Sequence, residues 1–397
     1  MEIKVQKGDL KQEKADLLVV GHFSDAKVVE GQLADIDAVM GGRLARLMKE
    51  DGFKAKLAST FITHVNGEIP AKRVLVVGLG KKEEVDFESV RQAAAVSVNV
   101  AKECGAKTIV SELHLHGEMK AAGCAQVMVE GARLADYTFS KYKKSTQKSP
   151  NFFAIVTKDA RDVRSAEKGL EFGELAAQGT VFARDLVNTP AHDMHPEILV
   201  DVAKALAKGK SSIRVRVFDR EALKRMGAGG ILGVAQGSDH PPYLVHMIYK
   251  PKKATKKSIA LVGKAVTFDS GGLSLKPADY MMTMKCDMAG AAAVLGAFSV
   301  IADLAPAVEV HGIFGAVENM PSGGAIRPGD VLTAMNKKTM EVLNTDAEGR
   351  LTLADTLSYA AKLKPACIVD LATLTGACVV ALGEEITGVM SNNDKVA

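Results

Sequence analysis

The stretch that decides the fold is Ser258-Ile-Ala-Leu-Val-Gly-Lys264, which is followed at once by Ala-Val-Thr-Phe-Asp269-Ser-Gly-Gly272. Its apolar start is typical of a strand that is buried on both faces, as in parallel sheets. A lysine ends the predicted strand, and an aspartate before two glycines indicates a tight turn that presents a carboxylate. The stretch therefore predicts a buried strand with polar side chains at its mouth.

Strand-like and helix-like runs alternate on both sides of this stretch. Apolar runs at 214–218, 244–249, 308–314 and 367–371 predict strands, and helical periodicity covers 196–208, 290–301 and 353–363. Strands separated by helices predict an α/β fold with a mainly parallel sheet flanked by helices. The ligand site of such a sheet is expected beyond the carboxyl ends of its strands.

The same alternation in the first part of the chain predicts a second α/β domain. A polar, lysine-rich stretch at 140–150 indicates a surface loop near the end of that domain, and helical periodicity over 166–187 stops before Asn188-Thr-Pro190. We therefore expect an N-terminal domain over residues 1–160, a connecting helix over 161–190 and a second domain over 191–397.

The composition is that of an ordinary globular protein. The 397 residues include 51 basic and 47 acidic side chains, and a net charge of +4 is too small to predict a nucleic-acid or membrane partner. No secretory signal and no uncharged apolar run of membrane-spanning length stand out. The five cysteines contain no CxxC pair, so we expect reduced thiols and a cytoplasmic protein.

Three polar residues near the deciding stretch each have an ordinary structural interpretation. Lys264 fits a solvated charge at a strand rim, Asp269 fits an Asx-turn, and Asp287 fits the N-cap of the alanine-rich helix after it. Metal coordination is the alternative for each of them, and for the lysine it requires a neutral amine.

The strongest local signal is Asn344-Thr-Asp346-Ala-Glu348-Gly-Arg350, between a strand-like stretch at 340–343 and a helix that begins near Leu353. In an extended segment, the two carboxylates and the guanidinium alternate onto one face. They fit a salt-bridged surface patch, but an arginine near a helix N-terminus is better explained by a bound anion.

Together these features amount to four carboxylates and one amine near strand ends of one domain. That number exceeds what one divalent ion needs and suits two ions that share ligands. The sequence contains no HExxH, GxSxG or Walker A motif, which disfavours zincin, serine-hydrolase and P-loop chemistry.

Three segments of this domain resemble the leucyl aminopeptidases, the cytosol aminopeptidase family. They are Val262-Gly-Lys-Ala-Val-Thr-Phe-Asp-Ser-Gly-Gly272, Met284-Lys-Cys-Asp-Met-Ala-Gly-Ala-Ala292 and Asn344-Thr-Asp-Ala-Glu-Gly-Arg-Leu351. The resemblance extends to Asn188–Pro190, Glu318–Ser322, Arg327–Asp330 and Leu371–Gly376. It implies a macro-like N-terminal α/β domain and a phosphorylase/hydrolase-like peptidase domain over 191–397.

The resemblance implies a metal-dependent aminopeptidase that releases leucine-like N-terminal residues from peptides. Two divalent ions, usually zinc with manganese or magnesium at the more exchangeable position, would activate a water and polarise the scissile carbonyl. Asp269 and Glu348 would bridge the two ions. The full ligand set implied is Lys264, Asp269, Asp287, Asp346 and Glu348.

The resemblance also assigns two catalytic positions. Lys276, in Gly271-Gly-Leu-Ser-Leu-Lys276-Pro, matches the lysine that donates to the oxyanion, although it also fits a surface lysine before a turn. Arg350 would hold a bicarbonate that transfers the proton to the leaving amine. The implied substrate contacts, which fit core packing as well, are Met284, Asn344, Thr373 and Leu374.

Assembly and chain length give further expectations. The family forms hexamers whose active sites face an interior cavity, so the resemblance implies a homohexamer. Ala265 stands where the family commonly has glycine. The chain stops at Ser391-Asn-Asn-Asp-Lys-Val-Ala397, where family members continue, so we expect a fragment that lacks helices of the substrate pocket and subunit contacts.

A DNA-binding role is the alternative function. Some members of the family bind DNA as architectural or regulatory proteins, and the lysines between Lys141 and Lys148 would contribute to such binding. The small net charge and the lack of a DNA-binding motif favour the peptidase.

Overall fold

The computed structural model describes residues 1–144, 148–253, 255 and 257–397. The chain divides into two compact units, Met1–Val181 and Phe182–Ala397, and each combines a sheet with helices. The prediction of an α/β chain with two domains is confirmed. The helix Ala160–Asn188 crosses the division between the units, and residues 145–147 of the lysine-rich stretch lie outside the described residues.

The first unit contains a six-stranded sheet in the order β1-β6-β5-β2-β4-β3, in which only β3 runs antiparallel to its neighbour. Its strands are β1 (Glu2–Lys7), β2 (Ala15–His22), β3 (Thr60–His64), β4 (Ala71–Gly78), β5 (Thr108–Glu112) and β6 (Phe152–Thr157). Its helices are α1 (Gly31–Val39), α2 (Arg43–Glu50), α3 (Phe87–Cys104), α4 (Ala121–Asp136) and the first part of α5 (Ala160–Asn188).

Alternation along β2 distributes its side chains between two cores. Leu17 and Val19 pack with α3 and α4, whereas Leu18 and Val20 pack with α1 and α2. Because successive side chains of a strand point to opposite faces, helices must cover both sides of this sheet.

The second unit contains a five-stranded sheet in the order β13-β9-β10-β8-β7. The strands β13, β9 and β10 are parallel, and β8 runs antiparallel to β10 and to β7. The strands, including the separate hairpin β11–β12, are β7 (Ile213–Phe218), β8 (Tyr243–Tyr249), β9 (Ser258–Asp269), β10 (Glu309–Asn319), β11 (Val331–Thr333), β12 (Thr339–Glu341) and β13 (Cys367–Leu371).

Helices cover both faces of this sheet as well. Ile313 and Phe314 are neighbours on β10, yet the first packs with α8 and α11 and the second with α6 and α10. The helices of this unit are α6 (Pro196–Ala207), α7 (Arg220–Met226), α8 (Gly229–Val234), α9 (Ala278–Met281), α10 (Ala289–Leu304), α11 (Glu348–Lys362) and α12 (Ala377–Leu382).

One stretch within the described residues, Ala278–Leu304, is long and apolar enough by length and composition to cross a membrane. It includes α10, and 67% of its apolar window is buried inside the protein. A core helix has the same properties, so this stretch is weak evidence for a membrane span.

His246 on β8 is a buried histidine that lies between two partners. Its Nδ1 lies 3.0 Å from the Tyr359 hydroxyl, and its Nε2 lies 3.0 Å from His311 Nδ1. Burial lowers the pKa of His246 to about 4, and the neighbouring His311 contributes to the shift. The folded protein therefore keeps this ring neutral at pH values where an unfolded chain protonates it.

We expect this neutral ring to make the protein less stable as the pH falls from about 6.5 towards 4. In that window the unfolded state binds the proton and the folded state does not, so stability decreases with acidification, by up to roughly 3 kcal/mol. Urea unfolding at pH 7 and pH 5 should show a smaller acid-induced loss for His246→Gln than for the unsubstituted protein. The same loss in both would contradict the prediction, and the exposed His192→Gln serves as the control.

Candidate metal centre

The parallel pair β9 and β10 brings the first site residues together. In their register Gly315 is opposite Lys264 and Asn319 is opposite Asp269. The strand β9 runs on to Asp269 and does not stop at Lys264 as the sequence predicted. Lys264 therefore lies inside the strand, and its side chain is buried.

Lys264 is paired with carboxylates, and only 3% of it is exposed. Its Nζ lies 2.7 Å from Asp287 Oδ1 and 2.8 Å from Glu348 Oε1, and it donates to the Thr373 carbonyl oxygen at 2.9 Å. Burial by itself lowers the pKa of this amine, but the two carboxylates outweigh burial and raise it. The interpretation of Lys264 as a solvated rim charge is wrong.

Asp287 does not cap the following helix. The N-cap of α10 is Met288, whereas the Asp287 carboxylate faces Lys264 and accepts a hydrogen bond from Thr373 Oγ1 at 2.8 Å. Burial raises the pKa of Asp287 to about 6 even though Lys264 acts in the opposite direction. Burial thus makes the charged carboxylate less stable than it is in water, and a further cation beside it would offset that cost.

Asp346 and Glu348 lie on helical backbone, so the alternation onto one face that an extended segment would give does not apply. Residues 345–347 form a 3-10 turn, and α11 begins at Glu348, five residues before the predicted start at Leu353. One carboxylate oxygen each from Asp269, Asp346 and Glu348 nevertheless lie within 4.8 Å of one another. Burial raises the pKa of Glu348 to about 7.

The side chains of Asp269, Asp287, Asp346 and Glu348 are called the carboxylate cluster below. Lys276 contacts two of them. Its Nζ lies 2.9 Å from Asp269 Oδ2 and 2.5 Å from Asp346 Oδ1. Burial by itself lowers the pKa of Lys276, but hydrogen bonds to these two carboxylates raise it, so the amine stays charged. A charged N–H group is thereby directed into the carboxylate cluster, and the interpretation of Lys276 as a surface lysine before a turn is wrong.

Two further residues organise the cluster, and the sequence reasoning assigned them no role. Asn319, at the end of β10, donates from Nδ2 to Asp269 Oδ1 at 2.8 Å and to the Thr345 carbonyl oxygen at 3.1 Å. Thr345 donates from Oγ1 to the Gly271 carbonyl oxygen at 2.6 Å. A polar residue at the carboxyl end of the strand next to β9 was the available signal for Asn319.

Of the remaining predicted positions, Asn344 and Thr373 hydrogen-bond to residues of the cluster. Asn344 is exposed and its Oδ1 accepts from the backbone N–H of Asp346 at 2.8 Å, while Met284 is half-buried. Thr373 contacts both Lys264 and Asp287, and the adjacent Leu374 is 44% exposed. Arg350 is exposed in the first turn of α11.

Gly271 is required where it stands. Its φ is +88°, and a Cβ there would lie 2.4 Å from the Ser274 carbonyl oxygen and 2.8 Å from Asp346 Oδ1. We expect Gly271→Ala to lower the melting temperature more than Gly329→Ala, and to displace Asp346. Gly329 has a similar φ of +94° but no atom within 4 Å, so it carries the backbone strain of about 1–2 kcal/mol alone.

Equal losses of thermal stability in the two glycine variants would contradict this prediction. Metal content gives a second measurement, since only the Gly271 substitution should reduce it.

The donor set of this cluster fits divalent cations. Among the described residues, Asp287 Oδ2 and Glu348 Oε2 are buried oxygens without a hydrogen-bond partner, which is costly unless a cation satisfies them. The four carboxylates carry four negative charges and Lys264 and Lys276 supply two positive ones, which leaves two uncompensated. Carboxylate oxygens with one amine suit two shared divalent ions.

Comparisons with known proteins identify the family of this chain. Residues 181–397 match the catalytic domain of the cytosol aminopeptidase family, and residues 19–146 match its N-terminal domain. A probable cytosol aminopeptidase of Sulfurihydrogenibium sp. is 42% identical over 397 residues, covering 100% of this chain and 78% of the relative. One of Nostoc punctiforme is 43% identical, covering 100% of this chain and 80% of the relative.

Two solved structures are similar over nearly the whole chain. A mutant tomato leucine aminopeptidase has a TM-score of 0.86 and 33% identity, covering 96% of this chain and 75% of that one. The bottromycin maturation enzyme BotP in complex with Mn has a TM-score of 0.77 and 34% identity, covering 93% and 74%. The chain therefore belongs to the cytosol aminopeptidase family and is an aminopeptidase, a metallo-exopeptidase that hydrolyses peptides.

Proposed function

We propose that the carboxylate cluster at the ends of β9 and β10 binds two divalent metal ions and releases leucine-like residues from peptide N-termini. The observation that carries this proposal is the pair of buried, unpartnered oxygens of Asp287 and Glu348 in a cluster short of positive charge. The residues that would hold the ions are Lys264, Asp269, Asp287, Asp346 and Glu348.

When bound, the ions would lower the pKa of a water and polarise the scissile carbonyl. Manganese is favoured by the similarity to BotP, whose structure contains Mn, and zinc and magnesium are the other proposed ions. Lys264 would bind an ion as a neutral amine. Its ammonium group, which contacts Asp287 and Glu348 in the metal-free protein, would therefore release one proton to the solvent.

Lys276 has the proposed role of an oxyanion donor. Its charged amine, held by Asp269 and Asp346, would donate to the substrate carbonyl oxygen as negative charge develops there. Such a donor acts mainly in the transition state, so it affects kcat more than substrate binding.

Arg350 has the proposed role of an anion holder. It lies in the first turn of α11, where the helix dipole also favours negative charge. It would hold a bicarbonate, which would accept a proton from the water and donate it to the leaving amine.

The substrate would be held by residues that border the cluster. We propose that Met284, Asn344, Thr373 and Leu374 contact the substrate, since Asn344 and Thr373 hydrogen-bond directly to metal-ligand residues. The half-buried Met284 and the exposed Leu374 supply apolar surface for a leucine-like side chain.

The domain limits, location and assembly are also proposals. We propose residues 1–160 as the N-terminal domain, 161–190 as the connecting helix and 191–397 as the peptidase domain, of an enzyme that is cytoplasmic and homohexameric. The relatives' names, which place them in the cytosol, support the location. No observation described above favours DNA binding.

The proposal is tested by the hydrolysis of leucine p-nitroanilide. The chain is treated with a chelator, and p-nitroaniline release is measured before and after manganese is restored, with lysine p-nitroanilide as the comparison substrate. We expect release that is lost on chelation, returns with manganese and is faster for leucine. Metal-independent release would contradict the metal centre, and equal rates for both substrates would contradict the leucine preference.

A further inference from the structure

We infer that His195, Glu197 and His240 form a separate binding site for one divalent transition-metal ion, zinc above all. The site lies in the second unit and shares no residue with the carboxylate cluster. One ligand atom from each of the three side chains lies within 4.8 Å of the other two. Two of the side chains come from the start of α6, and the third comes from the loop before β8.

The distances suit an ion with four ligands. Bonds of about 2.0–2.2 Å from zinc to nitrogen and oxygen place neighbouring ligands of a tetrahedron about 3.3 Å apart. His240 Nδ1 lies 3.4 Å from Glu197 Oε2, and His195 Nδ1 lies 2.7 Å from the same oxygen. The distance from His195 Nδ1 to this oxygen would have to increase by roughly half an ångström to admit the ion.

The two imidazole rings of the site lie face to face. The rings of His195 and His240 are stacked, with centroids 4.3 Å apart and planes inclined by 10°. Both Nδ1 atoms lie within 3.4 Å of Glu197 Oε2, but the lone pair of an imidazole nitrogen lies in the plane of its ring, so one ring has to turn before both Nδ1 atoms can bind the same ion. After such a turn, one ion would bind both Nδ1 lone pairs.

The three side chains are held on well-defined backbone. Pro196 occupies the first turn of α6 between His195 and Glu197, where its fixed φ suits the helix start. The backbone N–H of His240 donates to Ser238 Oγ at 3.1 Å, and that hydroxyl donates to Glu318 Oε2 at 2.5 Å. The loop that carries the third ligand is thereby tied to β10.

The chemistry of the ligands identifies the class of ion. Two imidazoles and one carboxylate suit zinc and its transition-metal neighbours, whereas magnesium and calcium prefer oxygen ligands alone. The side chains of His195, Glu197 and His240 are 23%, 32% and 38% exposed, so water reaches a fourth position. The ion would link the start of α6 to the loop before β8, which is a stabilising role rather than a catalytic one.

The experiment compares the unsubstituted chain with His240→Gln and Glu197→Gln, using His192→Gln as a matched control on an exposed neighbouring histidine. Each protein is stripped of metal, dialysed against Co²⁺ or Zn²⁺ and analysed for bound metal per chain and for the visible absorption of Co²⁺. We expect one ion fewer in the two site variants, and an affinity for that ion at least about 100-fold weaker. The control should match the unsubstituted protein.

A variant of the carboxylate cluster distinguishes metal bound there from metal bound at this site. Glu348→Gln should lose metal at the cluster and keep the ion at His195, Glu197 and His240, with its absorption spectrum. Circular dichroism checks that each variant is folded. If His240→Gln is not folded, Glu197→Gln provides the comparison. Equal metal content in the unsubstituted protein and a folded site variant would overturn the inference.

Discussion

Lys276→Ala is expected to lower kcat for leucine p-nitroanilide by about 100- to 1,000-fold with little change in KM. The charged Nζ of Lys276 lies 2.9 Å from Asp269 Oδ2 and 2.5 Å from Asp346 Oδ1, so it is directed into the cluster where the reaction is proposed to occur. A donor to the developing oxyanion contributes in the transition state and little in the ground state, which is why kcat should carry the loss. Steady-state kinetics at saturating manganese measure it.

Metal content distinguishes this role from simple charge balance. If Lys276 only neutralises Asp269 and Asp346, its removal leaves more negative charge for the ions, and metal should bind more tightly while kcat stays near normal. If it is the oxyanion donor, kcat falls although the metal is fully bound. Lys338→Ala, on an exposed lysine of the same domain, controls for the loss of a positive charge.

Glu348→Gln is expected to reduce bound metal and to bring hydrolysis down to the background rate. Glu348 is 1% exposed, its Oε1 lies 2.8 Å from Lys264 Nζ, and its Oε2 has no hydrogen-bond partner among the described residues. The amide has nearly the same shape but lacks the charge that a cation requires. Metal analysis after dialysis and p-nitroanilide release measure the two effects.

The same substitution should stabilise the metal-free protein. Burial raises the pKa of Glu348 to about 7, above that of an unfolded chain, so the charged carboxylate costs the fold stability at neutral and higher pH. A neutral amide removes that cost and still offers an oxygen that accepts from Lys264 Nζ. A Glu348→Gln protein that is less stable without metal, or that hydrolyses substrate normally, would contradict the assignment, and the exposed Glu341→Gln is the control.

Much of the fold could be predicted because it follows from periodicity. Continuous apolar runs such as 244–249 and 308–314 correspond to β8 and β10, and the alternation with helices correctly indicated α/β architecture. Where strands end is decided by tertiary contacts. A lysine inside an apolar run looks like a strand end, but β9 continues past Lys264 because carboxylates from other segments compensate its charge.

The site was less predictable from local patterns than from the combination of residues. Asp287 before an alanine-rich helix looks like an N-cap. Its carboxylate instead pairs with the amine of Lys264, more than twenty residues earlier in the chain. The helical start of α11 at Glu348 was hidden by Gly349, because glycine is a poor helix former. Asn319 was assigned no role because a neutral amide that hydrogen-bonds to Asp269 adds no charged residue to the sequence pattern.

The two amines among the four carboxylates have a consequence for how the enzyme acquires metal. Lys264 and Lys276 already neutralise half of the acidic charge, and Asn319 and Thr345 hold the loops by hydrogen bonds that involve no ion. We therefore expect stripping by a chelator to be reversible without refolding. Such a protein would exchange its divalent ions with the solution, and the concentrations of the available metals would decide which ion it binds.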